Sequence, residues 1–419
     1  MSSDKKKVIE SKDSLDYRHK LDSLDKHYLS YREKTNHLDG FYAFVRHHLI
    51  ASSMPLFPRV VASDKFVMIY NVVSIPIAII RVLFKASNIS SLSFGTDRLT
   101  NQGCCRYLSM VPSLSANNVT FVYSNSNLKL PKNAIRFGGF AILAKVLGRA
   151  AAKFLRAGPT VFFESIGVLK LEEWRCRYYE YIILQFIHRC LLNWLNPKRV
   201  IFVSGSFFSP LVNVAKSKSI PSYEIGHALI WRNHPIYSIN KIVGEESSAL
   251  YYIDTEDAPL INRSLVTHKK VLKTKGRQSL ERKVQSALSQ NANYKRFEDV
   301  SALGGLSRLL VLGQGGDLDD TLRDQALLLY NSSLRKKEIK VRFRPHPAFP
   351  VNSVTGTMRV SKNALLSVDL EWCTAILASY SMAAITAILN EKYVVVTDSE
   401  SADIFCSLGL GHRIIEAPF

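Results

Sequence analysis

This chain of 419 residues predicts an α/β protein made of two Rossmann-like halves, each an open parallel sheet wrapped by helices. Three observations carry that prediction. Short runs of branched aliphatic and aromatic residues alternate with longer helical patterns, as βαβ units do. Several of those runs stop abruptly at glycine, proline or hydroxyl residues. The length suffices for two domains, each with its own core.

The sharpest stop lies in Ile339 to Pro350, IKVRFRPHPAFP. Ile339 to Phe343 reads as a buried strand. Pro345 and Pro347 lack an N–H and cannot extend a central ladder, so the strand ends at about Arg344. Arg344 and His346 are then left at its carboxyl end, the edge where open α/β sheets bind ligands. A guanidinium and an imidazole held there suit an anion, most simply a phosphate. The bland alternative is a proline-rich loop with two solvated bases.

Two further strand ends lie close by. Ser307 to Leu312 is an apolar run ending in Gly313-Gln314-Gly315-Gly316-Asp317, and Leu318 to Leu334 reads as a helix. A glycine turn that opens a helix offers backbone N–H groups and a positive dipole end to an anion. Ala375 to Ala378 leads into Ser379-Tyr380-Ser381 and a small-residue helix from Met382 to Leu389. Hydroxyls there cap the helix and can also bind phosphate oxygens. Lys392 to Thr397 is another parallel-type strand. Together these ends predict a nucleotide-binding half over residues 300–419.

Residues 41–285 read as the other half, closed by a basic linker, after a charged segment over residues 1–40. Strands are expected at Val119 to Tyr123, Thr160 to Phe163, Arg199 to Ser204 and Ser222 to Ile225. Helices are expected at Ala141 to Arg156, Glu172 to Leu195 and near Pro210 to Lys218. After the strand Ser222 to Ile225 comes GHALIWRNHPIYS, which leaves Glu224 and His227 at a ligand edge. A carboxylate and an imidazole three residues apart are candidates for general-base work or for holding a substrate hydroxyl; a hydrogen-bonded turn is the bland alternative.

The net charge of +20 draws anionic substrates or anionic membrane. No arginine-rich arm, zinc-finger spacing or RNA-binding aromatic motif is evident, so nucleic acid is not expected as a partner. The six cysteines form no CxxC pair, which suits a reducing cytosol. Leu15, Leu21, Leu24, Tyr28 and Tyr31 fall at helical spacing from about Ser14 onward and predict an amphipathic helix laid on the main body. His47 and His48 have no matching ligand set and read as surface residues. Phe66 to Phe84 is the most apolar run, but Asn71, Pro76 and Arg81 count against a lipid-exposed span. A buried or membrane-facing monotopic helix fits it better, with peripheral attachment to an anionic inner leaflet.

Two motifs together resemble the GT-B glycosyltransferases that build bacterial surface polysaccharides. SYEIGHALIWRNHPIYS is similar to a pattern of glutamate, then Gln-His-Gly, then His-Pro with a following tyrosine. RFRPHP is similar to the His-Pro motif of bacterial sialyltransferases and capsule Kdo transferases. Ser379-Tyr380-Ser381 looks like their serine/threonine motif, and also like an Asp-Tyr-Ser-Ser element of teichoic-acid polyol-phosphate transferases. Gly313-Gln314 resembles the Gly-Gln that ends the first strand of the nucleotide domain. The likeness spans roughly Pro197 to Gly411. Gln-His-Gly stands here as Gly226-His227-Ala228, and Ser379 occupies the place of the teichoic aspartate.

The resemblance implies a GT-B fold with two Rossmann-like domains facing a cleft, and transfer of a sugar, sialic acid or Kdo from a CMP-linked donor. The acceptor would be a hydroxyl of a capsule, O-antigen or lipooligosaccharide chain, oligosaccharide or lipid-linked. Gln314, Gly315, Arg344, His346, Pro347, Ser379, Tyr380 and Ser381 would hold the donor. Glu224, His227 and His346 would carry catalysis, with the base open between Glu224 and His227. No metal or separate cofactor is expected, since a nucleoside monophosphate leaving group needs one phosphate site. The implied location is cytoplasmic, on the inner face of the bacterial membrane. A polyol- or sugar-phosphate transferase and a non-catalytic polysaccharide- or nucleotide-binding protein stay open as alternatives.

Overall fold

A computed structural model of the chain describes residues 21–30, 32, 36–53, 65–85, 89–96, 118–123, 134–155, 171–203, 208–226, 242–243, 249–254, 270–287, 295–296, 307–313, 317–332, 339–346, 358–362, 365–379, 381–396, 399–407 and 409–416. The first sheet holds β1 (Ser91–Thr96), β2 (Asn118–Tyr123), β3 (Ala134–Arg136), β4 (Arg199–Val203), β5 (Ser222–Ile225), β6 (Tyr251–Asp254) and β7 (Lys270–Lys273). The second holds β8 (Lys295–Arg296), β9 (Arg308–Leu312), β10 (Lys340–Arg344), β11 (Arg359–Val360), β12 (Ala375–Leu377), β13 (Tyr393–Val396) and β14 (Ile414–Glu416). The helices are α1 (residues 21–30), α2 (Asp39–Ser53), α3 (Lys65–Lys85), α4 (Gly138–Phe154), α5 (Leu171–Leu195), α6 (Ser209–Ser217), α7 (Lys275–Ala287), α8 (Asp317–Ser332), α9 (Leu366–Trp372), α10 (Met382–Leu389) and α11 (Ser399–Ser407).

Every strand pairing is parallel, and the two sheets share one plan. Their orders are β3-β2-β1-β4-β5-β6-β7 and β11-β10-β9-β12-β13-β14-β8. Each runs outward from a first strand, returns, and continues on its other side. This is the doubly wound Rossmann order, with a seventh strand added at one edge. The α/β class of two Rossmann-like units expected from sequence is therefore the fold observed.

The second sheet explains its own strand sequences. Leu309, Val311, Val341, Phe343, Leu377 and Val395 face one side, where α8 supplies Leu322, Ala326 and Leu329. Leu310, Leu312, Ile376, Val394, Val396 and Ile414 face the other, against α10, α11 and Leu370 of α9. With both faces covered, β9, β12 and β13 are apolar almost throughout, while β10 alternates. RLLVL and YVVV were readable for that reason.

The first sheet is less uniform. Phe94, Phe121, Phe137 and Phe202 form one apolar face under α3, α5 and α6. The alternate residues of β1 and β2 are polar and bonded to one another: Ser93 Oγ lies 2.8 Å from Thr120 Oγ1, and Asn118 Nδ2 donates to Ser93 Oγ at 2.9 Å. His188 of α5 stacks on Phe137 at 5.5 Å, and burial pushes its pKa down to about 3. It is a neutral core residue. α5 ends at Asn196, whose φ of 38° is left-handed, followed by Pro197, a stop that asparagine tolerates and proline enforces.

Leu21, Leu24 and Tyr28 bury one side of α1 against Phe41 and Phe44 of α2, as their spacing predicted. Arg46 of α2 is fully buried and grips Asp25 with both Nε and Nη2 at 2.8 Å. Tyr42 donates to the same carboxylate at 2.5 Å. His47 and His48 are half-buried rather than at the surface. Desolvation and Arg46 push His47 down to about 4. The expected strand Thr160 to Phe163 lies outside the described residues.

α4 crosses α5 at Gly148. A Cβ there would sit 2.7 Å from the backbone nitrogen of Glu180 and 3.0 Å from the carbonyl oxygen of Cys176. Gly148→Ala therefore sets two effects against each other. Helix propensity favours alanine by up to about 1 kcal/mol, while overpacking costs about 1–3 kcal/mol. Because backbone atoms of α5 must yield, packing should win, by on the order of 1 kcal/mol. Urea unfolding should show a lower midpoint at unchanged slope; an unchanged or higher midpoint would mean the two helices separate freely.

Candidate functional site

In the second sheet the strand order reverses between β9 and β12, and ligands bind such sheets outside the carboxyl ends at that switch. The two candidate turns flank it. Gly313 follows β9, and Ser379 and Ser381 follow β12. Arg344 and His346 end β10, the neighbour of β9. The fold thus brings Gly313, Arg344, His346, Ser379 and Ser381 to one edge. Gln314, Gly315, Pro347 and Tyr380 lie outside the described residues.

Gly313 is fixed by close approach. Its N–H donates to the Arg344 carbonyl at 2.8 Å, and a Cβ would meet the Phe343 ring at 2.9 Å. That N–H is already used. The turn then enters α8 through Asp317-Leu318-Asp319-Asp320. Acids in a first turn satisfy the helix dipole themselves, which lessens the pull of that helix start on a phosphate. Asp317-Leu318-Asp319 is an aspartate-x-aspartate tripeptide, which counts against the expectation of metal independence. Asp319 is buried, with Oδ1 3.1 Å from the Gly313 Cβ position. Among the described residues, no group of three His, Cys, Asp or Glu side chains is arranged to hold a metal.

α10 differs. Its first turn has no acid, and Ser381, in extended conformation, accepts from the Ala383 N–H at 3.1 Å as its N-cap. The hydroxyl hydrogen of Ser381 remains a donor in this geometry. Ser379 is buried, with its Oγ 3.3 Å from Ser401 Oγ of α11.

Arg344 has a partner that the sequence did not disclose. Asp369 of α9 is 0% exposed and accepts from Arg344 Nη1 at 2.5 Å, from Arg342 Nη1 at 3.0 Å and from Ser361 Oγ at 2.6 Å. Arg342 also lies over the Trp372 ring at 3.9 Å. One carboxylate holds two guanidiniums at the strand edge. Arg344 is orientated by this pair rather than solvated, and its side chain is only 14% exposed. Asp369 is 25 residues from Arg344, and an isolated aspartate in LSVDLEW carries no spacing signal.

In the first sheet, Glu224 is 1% exposed. It pairs in register with Phe202 and Tyr252, and so sits among their side chains on the helix-covered face. His227 lies outside the described residues. Beside Gly226, however, β6 ends in Asp254, a residue the sequence reading missed. The signal was YYID, a β-rich tetrapeptide ending in an acid.

Asp254 is buried next to the buried Arg277 of α7, with Nε 3.1 Å from Oδ2. Its other oxygen, Oδ1, has no hydrogen-bond partner among the described residues. Desolvation outweighs the arginine and raises its pKa from 3.8 to about 6. Glu281 approaches Arg277 at 3.4 Å and accepts from Lys273 Nζ at 2.8 Å. Leu280 of the same helix packs on the core of the second sheet, so α7 touches both halves.

No family model and no curated protein sequence matches the chain. Among solved structures, it is similar to a UDP-GlcNAc 2-epimerase from Methanocaldococcus jannaschii in complex with UDP-GlcNAc and UDP, at 12% identity, 78% of this chain, 88% of that one and a TM-score of 0.39. The glycosyltransferase SnogD from Streptomyces nogalater matches at 12% identity over 79% of this chain and 87% of that one, TM-score 0.38. The spinosyn forosaminyltransferase SpnP matches at 11% identity over 76% and 84%, TM-score 0.37. Likeness at this level carries no functional assignment, and the fold rests on the strand orders above.

Two outcomes follow from the buried carboxylates. Asp369→Ala removes the buried carboxylate that both Arg342 and Arg344 bond, and should cost up to about 3 kcal/mol, the lower end of the buried-pair range because the guanidiniums keep some solvent. Urea unfolding measures it, and a loss within about 0.5 kcal/mol, the size of an ordinary surface change, would mean the cluster is not structural. Asp254 has a folded pKa above its unfolded value, so it binds its proton more tightly when folded. The stability it contributes is fully present below about pH 4 and is lost as pH rises through about 6. The melting temperature of the wild type relative to Asp254→Asn should therefore fall between those pH values. A flat difference would contradict the raised pKa.

Proposed function

We propose that this chain is a glycosyltransferase that moves a sugar from a nucleotide-sugar donor, CMP-linked, to a hydroxyl of a surface-polysaccharide acceptor. One observation carries this reading. The glycine turn, the hydroxyl-capped helix and the arginine–histidine strand end converge on the topological switch of the second sheet. Arg344, His346, Ser379 and Ser381 act as donor-phosphate groups, with Gln314, Gly315, Pro347 and Tyr380 completing the set.

Negative charge grows on the leaving phosphate in the transition state. Fixed donors lower that barrier because they need no reorganisation as the charge appears. The Asp369 clamp supplies such fixation to Arg344. Transfer balances simply: the acceptor oxygen bonds to the anomeric carbon, the carbon–phosphate oxygen bond breaks, and a base takes the hydroxyl proton. His227 is the candidate base; Glu224, buried on the helix-covered face, is the candidate for orienting it. Closure of the two halves would exclude water from the reacting sugar.

Thermal shift against CMP, CDP, UDP, GDP and dTDP is the direct test, with CMP expected to stabilise most. Stabilisation by none of them would overturn nucleotide binding, and preference for another nucleotide would overturn the CMP assignment. His346→Ala should then lower turnover by roughly 10²-fold or more in a folded protein. Glu224→Gln and His227→Ala should lose transfer while nucleotide affinity changes by less than about 1 kcal/mol.

A further inference from the structure

α3, α4 and α5 lie side by side over the first sheet, with α4 packed against both neighbours. Their inward sides are accounted for. Ala78 and Val82 of α3 enter the core under the sheet, and Ala144, Gly148 and Ala152 of α4 are buried. Their outward sides are apolar as well, which core packing does not require.

On α3, Val73, Ile77, Ile80 and Phe84 are all exposed, Phe84 by 85%. At about 100° per residue they fall within an arc of about 60°, opposite Ala78 and Val82. On α4, Leu143, Val146, Leu147 and Phe154 are exposed, Phe154 by 83%. They occupy an arc of about 100° away from the buried glycine and alanines. Lys145, Arg149 and Lys153 form a second exposed stripe directly beside that arc. Arg81 borders the α3 stripe, and exposed Phe186 and Arg189 extend the pattern onto α5.

We infer that the outward faces of α3 and α4 form a docking surface for an anionic lipid bilayer, with the apolar stripes entering the headgroup boundary and the lysines and arginines held at phosphate level. The observations select this occupant. Contiguous exposed apolar surface marks an interaction site. An apolar stripe bordered by basic residues is the signature of a helix lying in a membrane interface. A second copy fits poorly, since a two-fold contact through these stripes would bring Lys145, Arg149 and Lys153 against like charge. Among the described residues, no helix is long and apolar enough to cross a membrane, so the surface lies on the bilayer. This inference does not depend on the transfer reaction.

Vesicle flotation with the full chain tests it, using phosphatidylcholine alone and phosphatidylcholine with about one-third phosphatidylglycerol. The wild type should bind the anionic vesicles, and 1 M salt should weaken that binding. Val146→Glu with Leu147→Glu should lower partition tenfold or more. Lys145→Gln, Arg149→Gln and Lys153→Gln together should lower anionic-vesicle binding by about 10²-fold and abolish the preference for charged lipid. Circular dichroism and melting temperature should be unchanged, since all five side chains are exposed. A wild type that binds neither vesicle overturns the inference, as does equal binding by folded variants. Concentration-dependent dimers that Val146→Glu with Leu147→Glu dissolves, without vesicle binding, would assign the surface to a second copy instead.

Discussion

Neighbouring strands in both sheets run parallel, and a parallel neighbour is reached only by crossing over a face of the sheet. Much else follows from that constraint. Crossovers cover both faces of the second sheet, so its central strands must be apolar on both sides. All carboxyl ends of a sheet lie at one edge, so polar residues that stop the strands gather there without further design. The return from β11 to β12 opens the one place where crossovers leave in opposite directions. The candidate phosphate groups occupy that place because the winding puts it there.

The same constraint decides what could be read from residues alone. RLLVL, AIL and YVVV are legible because two-sided burial leaves no ambiguity about face, and KVRFR because its apolar residues alternate and prolines stop it. β1 was not, since SLSFGT alternates and its serines bond across to Asn118 and Thr120 on β2. A polar ladder inside a sheet has no signature in one strand. β3, β11 and β14 have two or three residues each, too few to show a period. In the site, strand stops were legible because proline and glycine act locally. Partners were not, because Asp369 and Arg277 reach Arg344 and Asp254 through tertiary packing. The run Phe66 to Phe84 was legible as apolar but not as sided: only packing against the sheet separates Ala78 and Val82 from the exposed stripe.

Charge inside the molecule follows one rule. Asp25 meets Arg46, Asp254 meets Arg277, and Asp369 meets two arginines. A buried charge is tolerated only when paired and hydrogen-bonded. The first and last meet that requirement with several bonds to the carboxylate. Asp254 does not, having one oxygen without a partner among the described residues, and desolvation raises its pKa to about 6. Perturbed groups of this kind concentrate at functional sites.

The two helix starts at the switch divide their work by sequence. In sequence α8 opens on Asp317, Asp319 and Asp320, while α10 opens with serine and no acid in its first turn. α10 is also the helix that α7 packs against, and α7 holds Arg277 beside Asp254 in the other half. α7 thus pairs with Asp254 of the first half through Arg277 and packs Leu280 on the core of the second, so one short helix touches both.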